Sequence, residues 1–393
     1  MSKVKTKPER TWVVREADLT DREGILQCRD VTFAGEDLEK QAPAYWDWEF
    51  RDNHAGPARL FVAVDHLDLN SHEGAPHPET GEEAKSGKIV GHYAVIPQRF
   101  LLNGDLLNGS IVVDVMTHPD YRFQGMFTVV GRYAIEKCTQ DDALEFTTGY
   151  PIRPEVLPGH LKVGWRERFK ISIWAMPLSV GRIISTKYPK FKKLPGLAGL
   201  LGAIPTVLFR LNANVRLFFG GRCRTKRMDR CDSDLFGRFW KRFKERIPLG
   251  CVIQERTPEY LAWRFDRNPG RDYSYCCALD EKGEIEGFVV TRVIPIMGAE
   301  AMVVVDACAF PEQAIKVFRT LLGEVKRAAL ERGCPVCAMT LTQPNPIFPN
   351  PARFGFIRTP IRFTFITREF AETTRIDQDD LDWHLMWGDT DDA

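Results

Sequence analysis

No run of about 18 uninterrupted apolar residues occurs in the chain, so no segment reads as an obvious bilayer-spanning helix. The N-terminus, MSKVKTKPERTW, has charges but no apolar stretch of the signal-peptide kind, and the expectation is a cytoplasmic protein. Surplus charge is missing as well. A formal net charge of +1 gives no global attraction to nucleic acid, so any electrostatic partner must be local. Ten cysteines are scattered without framework spacing, which points to reduced, apolar core thiols rather than disulfides. Cys334 and Cys337 form a single CxxC, yet no second pair lies at a suitable distance and Cys223 and Cys231 are remote, so zinc would lack its four ligands. His66, His72 and His77 stand beside acidic residues in the polar stretch that runs to Ser86, a spacing that reads as solvated surface loop. No metal is expected.

What is present is the composition of an ordinary globular protein, with 44% apolar and 27% charged residues in 393, enough chain for two cores. The most informative stretch runs from Ile111 to Cys138. IVVDVMT is β-branched enough for a buried strand, HPDYRFQG carries turn residues, and Phe127, Val130, Ala134 and Cys138 then fall at helical spacing. Strand, loop and helix in that order aim free N–H groups and the positive end of a helix dipole at whatever sits in front, and a phosphate suits that position. Neither a GxGxxG fingerprint nor a GK[ST] pair follows the strand, so the two common nucleotide cradles are not supported.

The spacing resembles the acyl-CoA pyrophosphate loop of the GNAT superfamily of N-acyltransferases, [RQ]-x-x-G-x-[GA], with Arg122, Gly125 and Phe127 at its three defined positions. Phe127 departs from the small residue usual in the last place. VMTHPDYR is similar to the family's strand end and turn, and HLKVGW, His160 to Trp165, resembles its later Y-x-K-x-G-[FW] segment. The surrounding pattern reads as a strand over TWVVREA, then a helix with Thr20 or Asp21 as N-cap and Ile25, Leu26 and Val31 as its apolar face. Next come the strand LFVAVD, a three-segment meander into IVVDVMT, the loop helix, a strand in ALEFTTGYP, a short helix, and the alternating strand WRERFKISIWAMP.

Comparison of the two halves exposes an internal repeat. Pro43, Tyr45, Trp48, Phe50 and Asn53 recur as Pro258, Tyr260, Trp263, Phe265 and Asn268, at identical spacing. Asp65, the G-x-I-x-G at Gly87, the Asp114–Pro119 pair and Gly164 then match Asp280, the G-x-I-x-G at Gly283, the Asp306–Pro311 pair and Gly355. Such order points to tandem duplication. The expected architecture is an α/β (α+β) fold with a mixed sheet, as two tandem GNAT-like domains joined by a basic, partly apolar helical linker. Its divisions are a flexible 1–10, a catalytic domain 11–178, a linker 179–227, a degenerate domain 228–373 and an acidic tail 374–393. Where the first copy has Arg122 to Gly125, the second has Ala314, Ile315, Lys316 and Val317, which denies that backbone a close approach to pyrophosphate. One CoA site per chain is expected. Tyr45, Trp48 and Phe50 are expected in the core.

The resemblance implies acyl transfer from acyl-CoA, acetyl-CoA first, directly to an amine in a ternary complex. It places Val115, Met116 and Thr117 along the pantetheine, and Arg122, Phe123, Gln124, Gly125, Met126, Phe127 and Thr128 around the pyrophosphate. Proton transfer falls to Asp114 as base and to His160, or else Tyr150 or solvent, as the acid that protonates the leaving thiolate. Asp114 has an alternative, because its retention as Asp306 suggests that it holds a bulge or caps a turn. The tandem pattern is also similar to aminoacyl-transferring relatives that build peptidoglycan bridges, and a non-catalytic CoA-binding or envelope-associated scaffold is a further reading. For the middle of the chain two readings stand. Its lysines (Lys187, Lys190, Lys192, Lys193), its Gly/Leu-rich segment and the cluster from Arg222 to Arg230 suit peripheral contact of 187–230 with an anionic membrane, or a helical linker packed between domains.

Overall fold

The computed structural model describes residues 11–65, 87–140, 143–153, 155–193, 195–218, 221–296, 298–370 and 375–391. The N-terminal decapeptide and His66, His72 and His77 lie outside the described residues. The chain forms two compact units with interleaved sequence. The first comprises Met1–Gln98, Asn108–Arg168 and Phe365–Asp377, and the second Arg99–Leu107, Phe169–Thr364 and Gln378–Ala393.

The first unit holds β1 (Trp12–Glu16), α1 (Arg22–Thr32), α2 (Pro43–Trp46), β2 (Arg59–Asp65), most of β3 (Lys88–Leu102) and β4 (Asp105–Thr117), α3 (Met126–Thr139), β5 (Phe146–Gly149), α4 (Leu157–Lys162) and the start of β6 (Arg166–Pro177). The second holds the rest of β6, α5 (Val180–Lys187), α6 (Pro189–Lys192), α7 (Pro195–Phe218), β7 (Arg224–Met228), α8 (Ser233–Phe243), β8 (Cys251–Gln254), α9 (Pro258–Leu261), β9 (Ser274–Leu279), β10 (Ile285–Ile296), β11 (Ala299–Ala309), α10 (Ala314–Glu331) and β12 (Val336–Leu341). It also takes the first part of β13 (Ile357–Glu369), whose end belongs to the first unit, and β14 (Asp382–His384).

The sheet of the first unit runs β1-β2-β3-β4-β5-β13, and that of the second β7-β9-β10-β11-β12-β6. Both are mixed: β1/β2 and β2/β3 are antiparallel, β4/β5 parallel and β5/β13 antiparallel, and the second unit repeats this scheme with β11/β12 as its parallel pair. In each unit the strand beside the β5-type position is therefore supplied by the other half of the sequence. The two aromatic repeats also match in backbone, since α2 widens into a π turn over Asp47–Arg51 and α9 into one over Ala262–Asp266. Tyr45, Trp48 and Phe50 are buried, as are Tyr260, Trp263 and Phe265.

Two apolar layers sandwich the first sheet. On one face Trp12, Phe61, Tyr93 and Trp165 pack on Val130, Ala134 and Cys138 of α3, and on the other Ile25, Cys28, Trp46 and Phe50 cover Val62, Ala94, Ile111 and Val113. Asp21 is the N-cap position of α1, as one of the two expected starts, but its side chain makes no cap there. Asp18 caps a 3-10 turn over Leu19–Asp21 that leads into α1, because its carboxylate reaches the Thr20 amide at 2.7 Å. Val31, expected on the apolar face of α1, is exposed, and the helix buries Ile25, Cys28 and Arg29 instead. All ten cysteines are free thiols and eight are buried.

Candidate active site

Gly109–Val113 form the longest buried run of β4, and at Asp114 the backbone turns left-handed, with φ of +47°. An L-residue adopts that conformation at a cost, and a short polar side chain tolerates it best. Two side chains hold the bulge. His92 Nδ1 donates to the Asp114 carbonyl at 2.8 Å, and the Asp114 carboxylate forms a close ion pair with Arg29, whose side chain is 4% exposed. Burial raises the Asp114 carboxyl, but the cations of Arg29 and Lys40 outweigh it and hold the group below the usual carboxylate range. The imidazole of His92 is held down by burial, so the site contains a neutral ring beside an ionised acid.

Ile111 and Thr148 are the described parallel pair between β4 and β5, reinforced by Ser110 Oγ donating to the Phe146 carbonyl and Thr148 Oγ1 donating to the Ser110 carbonyl. Past that pair β4 runs on through Val115 and Met116 to Thr117. Met116 is buried against the α1 face and Val115 packs towards α3.

The loop after β4 starts with a turn over Pro119–Tyr121 capped by the His118 side chain, and is tied down by Tyr121 donating to the Asp65 carboxylate. Arg122 is extended and exposed, and among the described residues no acid pairs with it. Phe123 and Gly125 are both left-handed, with φ of +66° and +81°, and Phe123 projects fully into solvent. Gln124 between them accepts from Trp12 Nε1 at 3.0 Å, which pins the loop to β1. Gly125 is the N-cap of α3 and supplies no side-chain cap, so among the described residues no acceptor serves the amides from Phe123 to Phe127. Thr128 and Val129 instead turn back to the Gly125 carbonyl at 3.1 and 3.2 Å. Uncapped amides at the start of a 14-residue helix form an anion-binding end.

The two candidate acids sit in different environments. His160 on α4 is 6% exposed and boxed by Phe127 at 4.9 Å, Trp165 at 5.1 Å and Tyr93 at 6.5 Å between ring centroids. Burial pushes it down to about 4, so at neutral pH it holds no spare proton, and its geometry is that of a packing residue. Tyr150 follows the last residue of β5, half-buried and 5.3 Å from the ring of Phe365. Unlike His160, it keeps partial access to solvent. Phe127, large where a small residue was expected, fills the space over Gly159 and His160. Arg29 and His92, which fix the bulge, escaped the sequence reading; only a long-range pairing reveals them, 85 and 22 residues from Asp114.

The environment of His160 gives a test. The unfolded imidazole titrates near its ordinary 6.5 and the folded one near 4, so between these values the unfolded chain binds more protons. Stability present above pH 6.5 is lost as pH falls towards 4, by about 3 kcal/mol from this residue. In His160→Phe the fall in urea midpoint from pH 7 to pH 5 is expected to shrink; an unaltered pH dependence counts against the assignment.

The corresponding place in the second unit is built shut. Ala314 and Val317 at the start of α10 are buried, and the Val317 amide bonds the Gln313 carbonyl. The space past the β11/β12 pairing is taken by the C-terminal segment. Leu341 bridges Met386, the Thr342 amide bonds the Leu385 carbonyl, His384 Nε2 donates to the Ala307 carbonyl at 3.1 Å, and Gly388 lies against Val305 and Asp306. Arg256 joins Asp306 at 3.0 Å and Asp389 at 2.8 Å, all three with side chains at most 1% exposed.

No curated protein matches the chain. Among solved structures, the fold is similar to a probable N-acyltransferase of Enterococcus faecalis (TM-score 0.60, 11% identity, covering 92% of this chain and 72% of that one). It is similar also to a GCN5-related N-acetyltransferase of Anabaena variabilis (0.56, 11%, 92% and 73%). The N-myristoyltransferase of Saccharomyces cerevisiae, solved with bound myristoyl-CoA, matches at 0.50 (10%, 91% and 83%). At these identities the likeness is one of fold. Residues 13–166, which carry the bulged strand, the loop with its uncapped helix and both candidate acids, match the family model described as an acetyltransferase (GNAT) domain.

Proposed function

We propose that the first unit binds one acyl-CoA and transfers its acyl group directly to an amine. The observation that carries this reading is the Phe123-Gln124-Gly125 loop, left-handed at Phe123 and Gly125, which leaves the amides ahead of α3 without acceptors just after β4. Those amides and Arg122 would hold the pyrophosphate through charge-assisted hydrogen bonds. The backbone of Val115–Thr117 would pair with the pantetheine, which places the thioester near the bulge. The amine nitrogen then attacks the thioester carbonyl, the C–S bond breaks, and CoA leaves as a thiolate that must be protonated while the amine sheds a proton.

Asp114 fits a positioning role, since Arg29 stabilises its ionised form and makes it a weak proton acceptor. Tyr150 is the better-placed acid. Tyr150→Phe is expected to lower kcat by about 10²-fold, with KM for the acyl-CoA little changed, in a free-thiol release assay across acyl-CoA donors and a panel of amines. A variant with unchanged kcat removes the role, and no thiol release from any donor with any amine overturns the catalytic reading.

We infer further that the chain is a tandem duplication with a degenerate second copy. The shared strand order, the paired π turns and the repeated aromatic motif support it, and the seated C-terminal segment supports a single CoA site per chain.

A further inference from the structure

α7 is 24 residues long and, by length and composition, apolar enough to cross a bilayer, with 17% of its apolar window buried. Its inner side is fastened to the second unit along its length. Gly202 lies against the backbone of Gly181 on α5, so closely that neither position admits a Cβ, and Ala213 lies against Gly355. Arg210 Nε donates to the Leu178 carbonyl at 2.6 Å, and Arg319 Nε to the Arg216 carbonyl at 3.0 Å. The outer side carries Leu200, Ile204, Val207, Leu208, Leu211 and Phe218, each more than half exposed and at the three- and four-residue spacing of a single stripe.

Two features decide what covers that stripe. The chain enters α7 from β6, which pairs with β12, and leaves it into β7, which pairs with β9, so both ends return to the sheet of the second unit. A helix crossing a bilayer would put those ends on opposite sides. The second feature is charge: not one Asp or Glu lies between Glu167 and Asp229, while exposed Lys187, Lys190 and Lys193 precede the helix and Arg222 and Arg224 follow it. At its C-terminal end a cleft of about 830 Å³ opens, lined by Phe218, Arg222, Arg319, Lys326 and Arg327 among others. Glu324 also lines that cleft but is paired with Arg227 and Arg327, and an apolar stripe with cations in excess at both ends is complementary to acyl chains beneath phosphate headgroups.

We propose that α7 seats the protein on an anionic bilayer, lying in the plane of the interface with its Leu200–Phe218 stripe in the acyl boundary and its flanking lysines and arginines at headgroup level. The test is flotation of the full chain with phosphatidylcholine vesicles, with and without about a quarter phosphatidylglycerol, at about 0.15 M and about 1 M salt. Flotation with the anionic vesicles at the lower salt is expected, weakened at the higher. Replacing Lys187, Lys190 and Lys193 by Gln, all exposed and safe for folding, is expected to weaken partitioning about a hundredfold. Leu200→Asp, Ile204→Asp and Leu208→Asp together are expected to abolish it. The proposal is overturned if the wild-type chain stays with the unbound fraction on anionic vesicles, or if the lysine variant floats as well as the wild type. It is overturned equally if sedimentation shows a dimer that the aspartate variant converts to monomer, since a second copy would then cover the stripe.

Discussion

Gly125→Val is expected to weaken CoA binding by on the order of 10²- to 10³-fold in calorimetry, the loss of two or three charge-assisted hydrogen bonds. The cause is conformational. A Cβ at Gly125 would meet nothing within 4 Å, so crowding by the protein is not the issue. Its φ of +81° is, because a β-branched residue is an outlier there and the loop must rotate out of the left-handed region. That rotation redirects the amides ahead of α3 and releases Gln124 from Trp12. Gly125→Ala, which tolerates the left-handed region at about 1–2 kcal/mol, is expected to lie between wild type and Val. Equal affinity in all three proteins would mean that the loop does not hold the pyrophosphate.

Arg256→Met is expected to destabilise the second unit by about 3–5 kcal/mol, because it leaves the carboxylates of Asp306 and Asp389 buried without their cation. Burial already pushes Asp389 up to about 6 with Arg256 beside it. Urea unfolding followed by tryptophan fluorescence reads the loss, with Trp383 and Trp387 reporting on the C-terminal segment itself. CoA affinity should stay at the wild-type value, since the substitution lies in the unit whose cleft is occupied. An unchanged midpoint would show that the segment is held without this triad.

The legible parts of the fold were those written in local pattern. The β-branched run Ile111–Val113, the helical spacing of Val130, Ala134 and Cys138, and the paired aromatic motifs each declare a period or a repeat. Gly125 was legible because glycine marks a left-handed cap, whereas Phe123, equally left-handed, carries no such mark. The charge of Asp114 is visible in sequence and allows both a base and a bulge-holding residue, but what governs it is Arg29, and that partner is brought in by packing of α1 across the sheet. His160 was read from its place in a motif, and only the three rings around it show how far burial lowers it. The tail was illegible for a related reason: its hydrogen bonds run to Ala307, Thr342 and Arg256, all distant in sequence.

The exchange of closing strands has a consequence for synthesis. β5 receives its antiparallel neighbour from Ile366–Glu369, so a nascent chain can hold most of the first unit outside the ribosome for some two hundred residues with one sheet edge bare. The second unit in turn draws on Arg99–Leu107 and on the end of β6, both made long before it. Neither unit is finished by its own half of the message, and a premature stop before Phe365 costs the chain both.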